Sequence, residues 1–349
     1  MACAVLNMQN GYYEVNAGFD TPVAMFNFNR PHLTRQVFEV VRQVRPKCLL
    51  LVADGPRADR PDDARLCAEV RAILDEIDWE CTVLRNYSDT NLGSFKRNSS
   101  GLNWVFDTVE EAIILEDDCV PSLSFFPYCE ELLERYRDDS RIGLISGNNF
   151  LPQSSDKQTP SYFFSIYAMT WGWASWRHTW LQVDMNMPYW PDLKDSGELS
   201  TVLGTSEEEI YWRRIYDQIR SGKRNNAWDY QLMLACIKYR QLTIVPAVNL
   251  VANVGYGVDA THCLDGESTL ANNAVHKIFF PLNHPEEMMP SAKIDNLIFK
   301  TRFATGKSKI LLDVPASAIG KVLKRMLPNS YWKFIQAKWR SVRKFLIMP

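Results

Sequence analysis

The sequence predicts an α/β chain, with a mostly parallel sheet flanked by helices. Three observations carry this. Short apolar runs alternate with amphipathic stretches through the first 150 residues, and strands separated by helices imply βαβ crossovers. The composition, 46% hydrophobic and 23% charged, is that of a globular protein. The length of 349 residues suits one large domain or two small ones.

"VAMFNF" (23–28) reads as a first strand and "HLTRQVFEVVRQV" (32–44) as a helix with Leu33, Val37, Val40, Val41 and Val44 on one face. "CLLLVA" (48–53) is a second strand, ended by "DGP". "DDARLCAEVRAILDEI" (62–77) is a helix whose opening acids suit its N-terminus. "CTVLRNY" (81–87), "AIILE" (112–116) and "IGLISG" (142–147) supply three more strands. From about 151 the character changes. Residues 161–190 are rich in tryptophan, 206–222 and 228–239 read as helices, and 242–257 returns to strand before a glycine-rich turn. This divides the chain into a lead (1–20), a first half (21–150), a second half (151–265) and an extension (266–349).

A net charge of −2 argues against a nucleic-acid binder. The eight cysteines show no C-x-x-C pair and read as reduced, as in a cytoplasmic protein. The N-terminal residues lack a signal-peptide pattern, and no 18-residue apolar run is long enough to span a membrane. The end of the chain stands apart. Residues 316–349 hold no acid and eight Lys or Arg, interleaved with aromatics such as Trp332 and Trp339. That pattern fits either a helix peripheral on an anionic membrane or a basic helix docked on the chain's own acidic body.

The chemistry centres on "AIILEDDCVP". Glu116, Asp117 and Asp118 end a core strand in a triple negative charge, which demands a positive partner. A strand-end carboxylate cluster suits Mn2+ or Mg2+ completed by substrate phosphates. The competing reading is that Asp117 or Asp118 caps the next helix, for which Ser122 is the nearer candidate. The segment "SDTNLGSFKRNSSG" (88–101) reads as a polar loop whose Lys96 and Arg97 could pair with phosphate, or as a solvated turn. Asp54 follows a strand and could accept from a ribose or a base, or simply form an Asp-Gly turn. Arg30 fits a base or phosphate contact, or a surface arginine. Asp229 after Trp228 is either an N-cap or a general base. In "MTWGWASWRHTW", Trp171 and Trp173 are core, or they wall an acceptor site.

The series "TPVAMFNFNRP", "LLLVADGPR", "NLGSFKRN", "AIILEDDCVPSLSFF", "WGWASW", "WDYQ" and "NVGYGVDATH" resembles bacterial GT-A fold glycosyltransferases of surface polysaccharide clusters. More distantly it resembles the N-acetylglucosaminyltransferases that begin complex N-glycans. The resemblance covers about residues 21–263. It implies a Rossmann-like GT-A sheet, a nucleotide-sugar donor (usually a UDP-sugar), Mn2+ or Mg2+, and a glycan or lipid-linked acceptor. On that basis residues 21–150 bind donor and 151–265 supply the acceptor and catalytic half. Asp118 matches the metal ligand, and Asp117 and Glu116 the donor side of the acid motif. Arg30 and Asp54 match uridine contacts, and Lys96 and Arg97 a diphosphate loop. Asp229 matches the catalytic base of inverting members, with Tyr230 where relatives can carry a second acid. His262 matches a late donor-closing residue. The implied enzyme is a metal-dependent inverting transferase; the expected location is cytoplasmic, and peripheral on the inner face of the membrane where the membrane reading of 316–349 holds. Two alternatives stand beside it. A sugar-1-phosphate nucleotidylyltransferase would want a glycine-rich loop where "NFNRPHL" stands. A non-catalytic glycan-binding protein would have no need of the acids.

Overall fold

The computed structural model describes residues 18–151, 159–224, 227–255 and 273–304, with the backbone of a short hairpin, β1 (Met8–Gln9) and β2 (Tyr12–Tyr13). Met1–Arg302 form one compact unit and Phe303–Pro349 a second, of which only Phe303 and Ala304 are described. The basic stretch 316–349 and His262 therefore lie outside the described residues.

The first half follows the expected alternation. β3 (Val23–Asn27), α1 (Pro31–Val44), β4 (Cys48–Ala53), α2 (Asp63–Leu74), β5 (Thr82–Tyr87), α3 (Gly93–Thr108) and β6 (Glu111–Glu116) come in order. β7 (Cys119–Pro121), α4 (Phe125–Tyr136) and β8 (Ile142–Ser146) follow. Then come β9 (Tyr162–Ser165), β10 (Trp173–Trp176), α5 (Arg177–Trp180), α6 (Trp190–Asp195), α7 (Glu198–Val202), α8 (Ser206–Arg220), α9 (Asp229–Tyr239), β11 (Leu242–Pro246), β12 (Val251–Asn253) and α10 (Ala292–Ile298). An eight-stranded sheet has the order β5-β4-β3-β6-β10-β8-β11-β9. Its strands are parallel except β10 and β9, each antiparallel to its neighbours. Strands from both sides of residue 150 thus share one sheet.

Period-two alternation sorts the strand residues into two layers. Val23, Met25, Leu49, Leu51, Ile113 and Leu115 face one core with α1, α2 and α4. Ala24, Phe26, Leu50, Val52, Ala112 and Ile114 face the other, with α3 and α9. Close seating of α3 requires Gly101: a Cβ there would lie 2.6 Å from the Phe26 ring and 2.8 Å from Val52.

Three expectations are corrected. The segment 88–101 is loop only to Leu92; from Gly93 it is the first turns of α3. The strand expected over 242–257 is two, because β11 stays in the main sheet while β12 leaves it to pair with β7. Finally, β10 runs through the centre of the sheet, where the tryptophan-rich segment showed no strand pattern. It is buried on both faces (Trp173 to Trp176), so no polar alternation marks it. Six cysteines among the described residues are free. No helix among them is long and apolar enough to cross a membrane.

Candidate functional site

The carboxyl ends of β3, β4 and β6 bring the sequence-predicted acids together, where parallel sheets open toward ligands. β6 ends at Glu116, and β3 runs beside it with Phe26 opposite Glu116. The two chains leave the sheet side by side. One becomes Asp117 and Asp118; the other becomes residues 28–30 and enters α1. Arg30 consequently meets both aspartates. Its Nε donates to Asp117 Oδ2 at 3.4 Å, its Nη2 donates to Asp117 Oδ1, and the same Nη2 donates to Asp118 Oδ2 at 2.9 Å. The positive partner demanded by the triple acid is, in the first instance, this arginine. The helix-capping alternative for Asp117 and Asp118 falls, because β7 separates them from α4. Ser122 does not cap either: Ser124 is at the N-cap, with no side-chain cap bond.

The charges are held under tension. Protein atoms crowd the Glu116 carboxyl, although part of the residue reaches solvent. That desolvation, with Asp118, Asp117 and Asp229 adding like charge, pushes it up to about 8. Burial likewise raises Asp117 to about 6, against the opposing pull of Arg30 and a hydrogen bond from the Phe28 backbone N–H. Burial disfavours the Arg30 cation, but Asp117 and Asp118 outweigh it and raise the guanidinium above the ordinary arginine value. Asp229 is close enough to act on Glu116, so the motif and the start of α9 belong to one electrostatic site.

Asp118 is roofed by the end of β12. Asn253 pairs opposite Cys119, the Val254 N–H donates to the Asp118 carbonyl at 2.8 Å, and Asn253 Nδ2 stands 3.5 Å from Asp118 Oδ1. Gly255 lies against the carboxylate itself: a Cβ there would sit 2.2 Å from Asp118 Oδ2. Among the described residues Asp118 Oδ1 otherwise has only the Cys119 thiol, also at 3.5 Å. One carboxylate with a weakly engaged oxygen, beside further acids, fits a hard divalent cation that takes its remaining ligands from phosphate and water. Among the described residues no three His, Cys, Asp or Glu side chains converge as a ready-made cation cage.

Asp54 is buried, and each carboxylate oxygen accepts two hydrogen bonds. Gly55 N–H and Leu92 N–H reach Oδ1, and Asn91 Nδ2 and Gly93 N–H reach Oδ2, at 2.9–3.0 Å. It supplies from β4 the cap that α3 lacks in its own sequence, a favourable place for a negative charge. Its oxygens are thus committed to the 88–93 turn rather than presented to a ribose. Lys96 is exposed on the first turns of α3. Arg97 is buried and donates Nη2 to Asn86 at its carbonyl (3.0 Å) and its Oδ1 (2.7 Å), so it braces β5 and does not reach a diphosphate.

Asp229 is the first residue of α9, with Trp228 at the N-cap and no side-chain cap bond, so the capping role is unused. Among the described residues no hydrogen bond or ion pair engages its carboxylate. Trp228 packs on Trp173, ring centroids 5.9 Å apart. Trp173 is 1% exposed and belongs to the core, so it cannot wall an acceptor site. Trp171 is half-buried. Trp173 lies opposite Ile114, where the pairing of β10 with β6 begins, and Trp171 precedes it in the turn at Gly172. Asn253 and Gly255 were not singled out from sequence. The only signal was an N-x-G immediately after a strand, and nothing local says which residue that turn covers.

No protein-family model matches the chain, and no curated protein matches it in sequence. Among solved structures it is similar to the mannosyltransferase PcManGT from Pyrobaculum calidifontis in complex with GDP-Man and Mn2+. That match has 11% identity and a TM-score of 0.31, over 50% of this chain and 49% of that one. It is also similar to the inositol-1-phosphate CTP transferase from T. maritima (11%, TM-score 0.34, 74% and 99%) and to mouse xyloside xylosyltransferase 1 in its apo form (11%, TM-score 0.33, 65% and 84%). The chain spans about half the length of the mannosyltransferase. Superpositions this loose carry no argument about activity, so the reaction is read from the site.

Proposed function

We propose that the chain is a metal-dependent glycosyltransferase. It moves a sugar from a nucleotide donor, a UDP-sugar, to a hydroxyl of a glycan or lipid-linked acceptor, with inversion. The observation that carries this reading is the acid motif at the carboxyl edge of the sheet. It is bridged internally by Arg30 and lies within charge reach of an otherwise unengaged Asp229.

Asp118 would hold Mn2+ or Mg2+ through its weakly engaged oxygen. When bound, that ion neutralises a diphosphate leaving group. Asp117 and Glu116 face the donor side, and Arg30 fixes the orientation of both aspartates. Lys96 is an exposed cation available to phosphate, whereas Asp54 contributes by ordering the 88–93 turn. Asp229 takes the proton of the attacking acceptor hydroxyl, and its freedom from protein hydrogen bonds leaves its oxygens available for that. Residues 21–150 are assigned to the donor and 151–265 to the acceptor. His262 over the donor, and 316–349 at the inner face of a membrane, complete the reading. A nucleotidylyltransferase is disfavoured because the turn before α1 holds no glycine to cradle phosphate: Arg30 sits at the N-cap and Pro31 opens the helix.

The test is a panel of nucleotide sugars with Mn2+, reading released nucleotide with and without EDTA. Metal-dependent release from one donor supports the proposal; release of pyrophosphate from a nucleoside triphosphate and a sugar phosphate overturns it. Asp229→Asn should abolish transfer and keep donor binding. A product with retained anomeric configuration would refute the single displacement.

A further inference from the structure

Beside Asp229 lies a group of arginines and aromatic rings that the proposed donor chemistry does not use. Arg224 donates Nη2 to the Tyr230 hydroxyl at 2.7 Å, with its guanidinium 4.7 Å from the Tyr230 ring centre. Among the described residues no acid pairs with Arg224. Arg302 lies 5.2 Å from the ring of Trp171 and 5.6 Å from that of Phe150, which pack edge to face. Its segment is held by Phe299, whose ring sits 5.3 Å from Tyr211. The two arginines belong to one locality, since both act on the hydroxyls of Tyr211 and Tyr230. Arg224, Arg302, Tyr211, Tyr230, Trp171 and Phe150 are each half-buried, whereas Phe299 beneath them is buried.

A neutral sugar acceptor would need the aromatic faces alone. Among the described residues the Arg224 guanidinium is hydrogen-bonded only to a neutral phenol, an arrangement that leaves its remaining donors for an anion. Arginine is suited to carboxylate and phosphoryl groups because its planar fork makes paired, charge-assisted hydrogen bonds. Stacking on a ring fixes the plane of that fork before the ligand arrives. Asp229 is close enough to act on the Tyr230 hydroxyl, so an anion held here would lie near the carboxylate proposed to take the acceptor proton.

We propose that Arg224 and Arg302, with Trp171 and Tyr230, form an acceptor subsite for a saccharide bearing an anionic group, carboxylate or phosphoryl, next to the hydroxyl that is glycosylated. This inference rests on the transferase reading above for the word acceptor, but its test does not depend on turnover. Binding to the full chain is measured by calorimetry for methyl glucuronide, glucose 1-phosphate and neutral methyl glucoside. The measurement is repeated with Arg224→Met and Arg302→Met, which keep the apolar stems. An anionic saccharide should bind at least roughly tenfold more tightly than methyl glucoside, and each variant should remove most of that preference. Preference for the glucuronide alone assigns a carboxylate; preference for the phosphate alone assigns a phosphoryl group. Equal binding of charged and neutral probes, or a preference that survives both substitutions, overturns the subsite. So does an equal loss of UDP affinity in the variants, which would give the arginines to the donor diphosphate. If anionic saccharides bind as expected but no nucleotide sugar is ever cleaved, the transferase reading fails while the anion subsite stands.

Discussion

Replacing Arg30 with methionine should destabilise the metal-free protein in a strongly pH-dependent way. Asp117 has a folded value of about 6 against 3.8 for the free side chain, even with Arg30 beside it. A raised carboxyl value means the folded state binds the proton more tightly. The burden of ionised Asp117 on stability is therefore full above pH 6 and fades as pH falls toward 3.8. In the wild type that burden levels off at about 3 kcal/mol. Without Arg30 the value rises further and the group escapes by staying protonated, so its burden keeps growing with pH. The difference between variant and wild type is therefore near zero at pH 5 and grows to about 1–3 kcal/mol between pH 7 and pH 8. Leaving Asp118 without its guanidinium partner adds on the order of 1 kcal/mol. Urea unfolding of both proteins in chelator at pH 5, 7 and 8 reads these differences directly. A destabilisation equal at pH 5 and pH 8 would refute the idea that Arg30 acts through the charge of Asp117.

Gly255→Ala would drive a methyl into the Asp118 carboxylate. We expect a loss of about 1–3 kcal/mol in thermal unfolding, with Mn2+ affinity falling more than nucleotide affinity, because the displaced group is the proposed ion ligand. Asp54→Ala would leave the Gly55, Leu92 and Gly93 N–H groups without their shared acceptor. It should cost about 3 kcal/mol and raise hydrogen exchange at the start of α3, with the 88–93 turn loosening first. Trp173→Ala should cost about 3–5 kcal/mol while leaving the affinity for saccharide probes unchanged in the folded fraction, because the ring lies in the core.

The first half of the fold was legible because its strands are bounded by polar turns and its helices show one apolar face. Val23, Leu49 and Ile113 announce themselves as interior by run length alone. β10 was not legible: "WASW" lies between layers on both sides and carries no alternation, and the breaker at its start, Gly172, sits between two tryptophans. The start of α3 was hidden for a different reason. Gly93 and the polar residues after it look like loop, and the group that stabilises the helix start, Asp54, is 39 residues away. The acid motif could be found from local chemistry, since three carboxylates at a strand end are conspicuous. Its counter-charge could not, because Arg30 reaches Asp117 across 87 residues through the pairing of two parallel strands. Trp171 and Trp173 are two residues apart and identical in type. Only the strand's position in the sheet separates the half-exposed ring from the buried one.

The guanidinium between the aspartates also bears on how such a protein is made and kept. A cluster of carboxylates that relied on an ion for its neutrality could not mature until that ion was supplied, and would unravel whenever it was withdrawn. Here the chain brings its own cation from the neighbouring strand during folding. If Asp118 holds an ion as proposed, folding of the newly made polypeptide is uncoupled from metal supply, and loading would be a late, reversible exchange of contacts at Asp118 rather than a step of folding.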